Sequence, residues 1–179
     1  MPVKPPLSSA SIRPLSERTE ILLINARKFL GGQLVRQLAT LRPELKFRVI
    51  GGDNLPFPDN VIVEPFFNGR DYTDMYKNAA LFLFPLGEDD PCGTGRVVFE
   101  ALMSQTPVLS LDRGGMKEVL PQDWLLQKNT PQAWAVAIDK MMAQSFDEES
   151  LENLVAVFDY RKQLDIIDDA VREVLQSAE

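Results

Sequence analysis

The residues best placed for chemistry lie in the stretch LGEDDPCGTGRVVFE, Leu86 to Glu100. Val98, Ala101 and Leu102 follow at the spacing of one helical face. Gly93, Thr94, Gly95, Arg96 and Val97 therefore read as a polar loop opening onto a helix. The first amides of a helix lack partners within it, and the dipole leaves that end positive. Such an entrance suits an anion such as a phosphate, and Arg96 adds a cation. A plain loop with a glycine turn accounts for the same residues. Two further cations, Arg27 and Lys28, follow the apolar run ILLIN. At the mouth of a strand they suit phosphate, and they also read as ordinary surface residues.

Composition narrows the chemistry. The chain has 179 residues, no histidine and one cysteine, Cys92. Serine–histidine and cysteine–histidine catalysis within this chain are excluded, as are a disulfide framework and a histidine-based zinc site. The net charge of −7 argues against nucleic acid or an anionic membrane as a general partner. No apolar run approaches the ~20 residues of a membrane span. The start, MPVKPPLSSAS, has no apolar core of a signal peptide. A cytoplasmic protein is the expectation.

The elements that position the loop can be read around it. ALFLFP, Ala80 to Pro85, is a continuous apolar run ended by proline, as in a strand covered on both faces. The helix follows the loop. Pro107 then opens PVLSL, which ends at Asp112 and the pair Gly114-Gly115. Strand, loop, helix, strand is a βαβ unit, and ligands of such sheets bind outside the carboxyl ends of the strands. Upstream, strands are expected at Ile21 to Asn25, Phe47 to Gly52 and Val61 to Phe66. Helices are expected from about Gln33 to Leu41 and from Tyr72 to Ala79. Gly51-Gly52 reads as a turn, and Gly114-Gly115 as a turn with positive φ. Downstream, WLLQ (Trp124 to Gln127) is the last expected strand. Thr130 and Pro131 have the N-cap and first-position chemistry of a helix, with Trp134, Ile138 and Met141 on one face. Trp134, Met141 and Met142 read as core. Two more helices are expected, from near Asp147 and from about Leu164 to Leu175. The first class this order defines is α/β, a doubly wound Rossmann-like parallel sheet with helices on both faces. Residues 1–19, rich in proline and serine, read as an extended arm or linker. Residues 20–179 read as a single domain.

The stretch Asp74 to Leu120 resembles the donor-binding signature of GT-B glycosyltransferases of the glycosyltransferase group 1 family. Gly95, Glu100, Ala101, Pro107, Val108, Gly114, Gly115 and Glu118 fall on that signature at its spacing. The lead-in DMYKNAALFLFP resembles the family's tyrosine-to-proline approach to the same loop. The resemblance implies the carboxy-terminal, nucleotide-sugar-binding half of such an enzyme. It implies a contact from Glu100 to the ribose hydroxyls, which suits a carboxylate because it can accept both O–H groups of a vicinal diol. It implies diphosphate contacts from the Gly93 to Val97 amides and Arg27. The family's second cation, a lysine five residues after the arginine, falls on Gly32, so Lys28 is the available substitute. Cys92 stands where the family has a glutamate facing the donor sugar. A thiol cannot replace its charge, and Glu88, Asp89 and Asp90 are the nearby carboxylates.

The implied reaction is transfer of a sugar from a UDP- or GDP-linked donor, with no further cofactor and no metal. The implied partner is an amino-terminal acceptor domain, expected in the same natural chain, without which this domain binds donor but does not turn it over. Two alternatives stand beside this one. The missing glutamate and lysine fit a non-catalytic relative that acts as a binding module. A sugar-nucleotide epimerase shares the fold, but the lack of histidine and of a second domain argues against it.

Overall fold

The computed structural model describes residues 13–27, 31–66, 72–86, 95–156 and 171–172. The sequence-based expectations for Lys28, Glu88, Cys92, Gly93 and Thr94, and for a helix over 164–175 save residues 171–172, fall outside them. Among the described residues six strands form one parallel sheet: β1 (Glu20–Ala26), β2 (Lys46–Gly52), β3 (Val61–Glu64), β4 (Ala79–Phe84), β5 (Val108–Leu111) and β6 (Leu125–Leu126). Their spatial order is β3-β2-β1-β4-β5-β6. The order reverses between β1 and β4. Right-handed crossovers then send the chain to opposite faces after those two strands, which opens a crevice at their carboxyl ends.

Among the described residues six α-helices accompany the sheet: α1 (Gln33–Leu41), α2 (Tyr72–Tyr76), α3 (Arg96–Met103), α4 (Met116–Val119), α5 (Pro131–Met142) and α6 (Glu148–Ala156). Helix α1 packs beside α5, and α3 beside α6. The central strands are covered on both sides, so they carry unbroken apolar runs. Ile21, Leu22 and Leu23 of β1, Leu81, Phe82 and Leu83 of β4, and all of β5 are buried. Helix α3 buries Val98, Ala101 and Leu102, as their spacing predicts. Helix α5 buries Trp134, Ile138 and Met141.

The sheet corrects several expectations. β3 stops at Glu64, because Pro65 has no N–H to continue the ladder. α2 ends at Tyr76, before Ala79 begins β4. The last strand is only Leu125–Leu126, since Gln122–Trp124 turns as a short 3-10 helix. Met142 is 40% exposed, one helical step beyond the buried Met141, and is not core. Gly114 has the expected positive φ of 55°, but Gly115 is the N-cap of α4 at φ −82°.

Two buried arginines brace the frame. Arg48 in β2 donates to both oxygens of Glu64, at 2.9 and 3.1 Å, and to the Met75 carbonyl at 3.1 Å. This ties β2 to its neighbour β3 and to the last turn of α2. Arg18 donates through Nη1 to the Ser104 and Gln105 carbonyls and to Thr106 Oγ1, at 3.0 to 3.1 Å. It therefore satisfies carbonyls at the carboxyl end of α3 that the helix leaves open. At α5, Thr130 Oγ1 accepts from the Ala133 amide, with Pro131 next in sequence. Thr130→Ala is expected to cost about 1 kcal/mol, measured by chemical denaturation.

Candidate functional site at the carboxyl edge

The crevice at the β1/β4 reversal is built by close backbone approach. Gly95 is the N-cap of α3 and offers no side-chain acceptor to the amides of the first turn. A Cβ at Gly95 would lie 2.5 Å from Cζ of Phe84, the last residue of β4. Only glycine lets the helix start directly above that ring. On the other side, a Cβ at Gly31 would lie 2.2 Å from Pro85, and Gly31 has a φ of +95°. The loop after β1 thus rests on the end of β4, and its base is closed by the Gly32 amide donating to the Arg27 carbonyl at 3.0 Å. The Gly51-Gly52 turn is more than a turn. At Gly52, with φ +120°, a Cβ would meet the Ala26 backbone at 2.4 Å. The ends of β1, β2 and β4 are locked together at one edge by residues without side chains.

Arg27 is exposed, at the end of β1. Arg96 stands on the first turn of α3 with its side chain 90% exposed, and its Nε lies 3.0 Å from Glu100 Oε1. Glu100 is one helical turn on, and its side chain is only 17% exposed. Burial pushes the Glu100 carboxyl above its ordinary pKa, and the positive charge of Arg96 offsets this only in part. Tyr76, at the end of α2, is fully buried, and its hydroxyl donates to the Val97 carbonyl at 2.9 Å. Burial first, and then the nearby charge of Glu100, raises the phenol above its usual range. The structure therefore gathers Gly95, Arg96, Val97 and Glu100 on one helix start, with Arg27 one strand away on the same edge.

Gly32 explains the missing lysine. It is buried, and a Cβ there would meet the Ala26 carbonyl oxygen at 2.4 Å and Leu55 Cδ1 at 2.8 Å. A side chain of any kind is closed out of this position. Tyr76, Phe84 and Arg18 hold α3 from three directions, and sequence reasoning assigned none of them a role. Their local signals were a lone tyrosine in a short helix, one phenylalanine in an apolar run and an arginine in a polar arm.

The family profile described as glycosyl transferases group 1 matches residues 31–144, more than half of the chain. The chain belongs to that family. The Bacillus subtilis (strain 168) protein YtcC, provisionally named a glycosyltransferase, is 28% identical over 103 residues, covering 55% of this chain and 24% of YtcC. Among solved structures, a glycosyltransferase from Rickettsia africae ESF-5 superposes with a TM-score of 0.66 at 15% identity, over 91% of this chain and 54% of that one. Anabaena Alr3699/HepE in complex with UDP-glucose gives 0.62 at 16% identity, over 91% and 50%. AviGT4, a glycosyltransferase involved in avilamycin A biosynthesis, gives 0.65 at 16% identity, over 95% and 57%. These similarities show a shared fold. The chain spans about a quarter of YtcC and about half of each structural neighbour. No described helix is long and apolar enough to cross a membrane.

Proposed function

We propose that this chain is the donor-binding half of a nucleotide-sugar-dependent glycosyltransferase. The observation that carries the reading is Glu100. It is a carboxylate held 17% exposed, one turn into a helix whose N-cap supplies no side chain, beside the β1/β4 crevice. Burial works against its charge, which is a poor arrangement for stability and a good one for gripping a diol. In this reading Glu100 accepts the ribose hydroxyls. The amides at the start of α3 and the Arg27 side chain bind the diphosphate. Preorganised amides and cations stabilise the charge that collects on the diphosphate as the sugar leaves. The acceptor and the rest of the catalytic groups belong to a second domain, consistent with the chain spanning about half of its structural neighbours. The UDP-glucose complex of HepE supports a uridine or related donor.

A second reading, a binding module that no longer transfers, draws on Gly32, where the family's cation cannot be accommodated. Calorimetric titration of the domain with UDP, GDP and their glucose and mannose conjugates tests both. Saturable binding of one nucleotide, with no transfer to added acceptor, is the expected result. No heat from any of them at millimolar concentration would favour the interaction module.

A further inference from the structure

Helix α3 starts without a side-chain cap, yet it must hold Glu100 at a fixed distance from the crevice. Two aromatic residues do this from beneath. The Phe84 ring lies under Gly95, and the Tyr76 hydroxyl reaches the Val97 carbonyl at 2.9 Å. The Tyr76 ring is itself fixed edge-on against Phe82, with ring centres 5.7 Å apart, and Phe82 packs against Phe84 at 6.2 Å. Val97 and Glu100 are three residues apart on one helix, so they share a face. Whatever fixes the Val97 carbonyl fixes the direction in which Glu100 leaves the helix.

We propose that Tyr76 is a positioning residue for ribose recognition, acting through its hydrogen bond to the Val97 carbonyl. The inference rests on the reading of Glu100 as the ribose acceptor. The phenol spends its proton on the backbone and not on the carboxylate. Among the described residues, the side chain that bonds the Glu100 carboxylate is the exposed Arg96. The carboxylate thus keeps acceptor capacity for an incoming diol. Burial first, and then the charge of Glu100, raises the proton affinity of the phenol, which keeps Tyr76 a donor.

The test compares wild type with Tyr76→Phe. The ring and its contact with Phe82 are kept. The Val97 carbonyl is not orphaned, because an α-helix also gives that oxygen the amide four residues on. UDP and GDP are titrated calorimetrically, together with the 2′-deoxy form of whichever binds and with inorganic pyrophosphate. Tyr76→Phe is expected to weaken the ribonucleotide about three- to tenfold and the 2′-deoxy nucleotide less, so that the ratio of the two affinities shrinks. Pyrophosphate binding should not change. Phe82→Leu loosens the same cluster while keeping the hydroxyl. It should lower the melting temperature and leave the ratio alone. Equal losses for all three ligands in Tyr76→Phe, an unchanged ratio, or a ratio that shrinks as much in Phe82→Leu would overturn the proposal and leave the donor-binding reading standing. Failure of wild type to bind UDP or GDP would overturn both.

Discussion

Glu100→Gln is expected to weaken nucleotide binding by about tenfold or more at pH 7.5, and to leave the protein as stable as wild type or more so. The two effects have one cause. A hydrogen bond from a ribose hydroxyl to a charged acceptor is worth about 1.5–3 kcal/mol, and about 1.4 kcal/mol is a factor of ten. An amide keeps the shape but loses the charge and one of two acceptor oxygens. In the free protein that charge is a burden. Burial raises the Glu100 pKa, and Arg96, itself 90% exposed, is too well solvated to cancel the cost. The folded state therefore holds the proton more tightly than the unfolded chain. Stability from this group is then present at low pH and falls as pH rises, until the carboxyl has ionised in the folded state as well. Glutamine never ionises. Its advantage should be visible at pH 7.5 and vanish below the ordinary carboxylate range, which urea denaturation at both ends of the pH scale would show.

Binding should run the other way. The diol needs the ionised acceptor, so wild-type affinity should fall on acidification. The fall should begin at a higher pH than for an unburied glutamate. In Glu100→Gln this limb should be absent. A variant that binds nucleotide as tightly as wild type would remove Glu100 from the site, whatever its stability.

Much of this site can be read from the sequence, for a physical reason. Strands covered on both faces have to be apolar throughout, so ILLIN, FRVIGG and ALFLFP announce a parallel sheet. The spacing of Val98, Ala101 and Leu102 marks the buried face of α3 and therefore the faces left for Arg96 and Glu100. What is hidden depends on distances between segments far apart in the chain. Nothing local says that Gly95 is glycine because Phe84 lies beneath it, or that Arg18 reaches the far end of the same helix. Tyr76 is a single polar atom in a short helix until its partner, 21 residues later, is known. Met142 shows the opposite failure. Two adjacent methionines look alike, but a helix turns about 100° per residue, so only Met141 faces inward.

Gly32→Lys is expected to lower stability by about 2 kcal/mol or more and to give no gain in nucleotide affinity, although it places the family's cation at the family's position. The obstacle is at the first side-chain atom. A Cβ on residue 32 would sit 2.4 Å from the Ala26 carbonyl oxygen and 3.0 Å from its carbon. Leu55 Cδ1, at 2.8 Å, can swing away because it ends a flexible side chain. Ala26 cannot, because it pairs with Gly52 in the β1–β2 ladder and its oxygen accepts the Asp53 amide at 3.3 Å. Overpacking against fixed backbone costs about 1–3 kcal/mol or more. Relief by shifting residue 32 would strain the hydrogen bond its N–H donates to the Arg27 carbonyl, which closes the loop after β1. Gly32→Ala separates sterics from charge: it should destabilise nearly as much as the lysine, since the clash begins at Cβ. If both variants melted with wild type and the lysine variant bound UDP or GDP more tightly, the start of α1 would have to be free to move. The expected outcome leaves Arg27, five residues earlier and exposed, as the described cation on this side of the crevice. On the proposed reading the described residues meet the diphosphate there with the Arg27 guanidinium and backbone amides, so nucleotide affinity should depend steeply on Arg27.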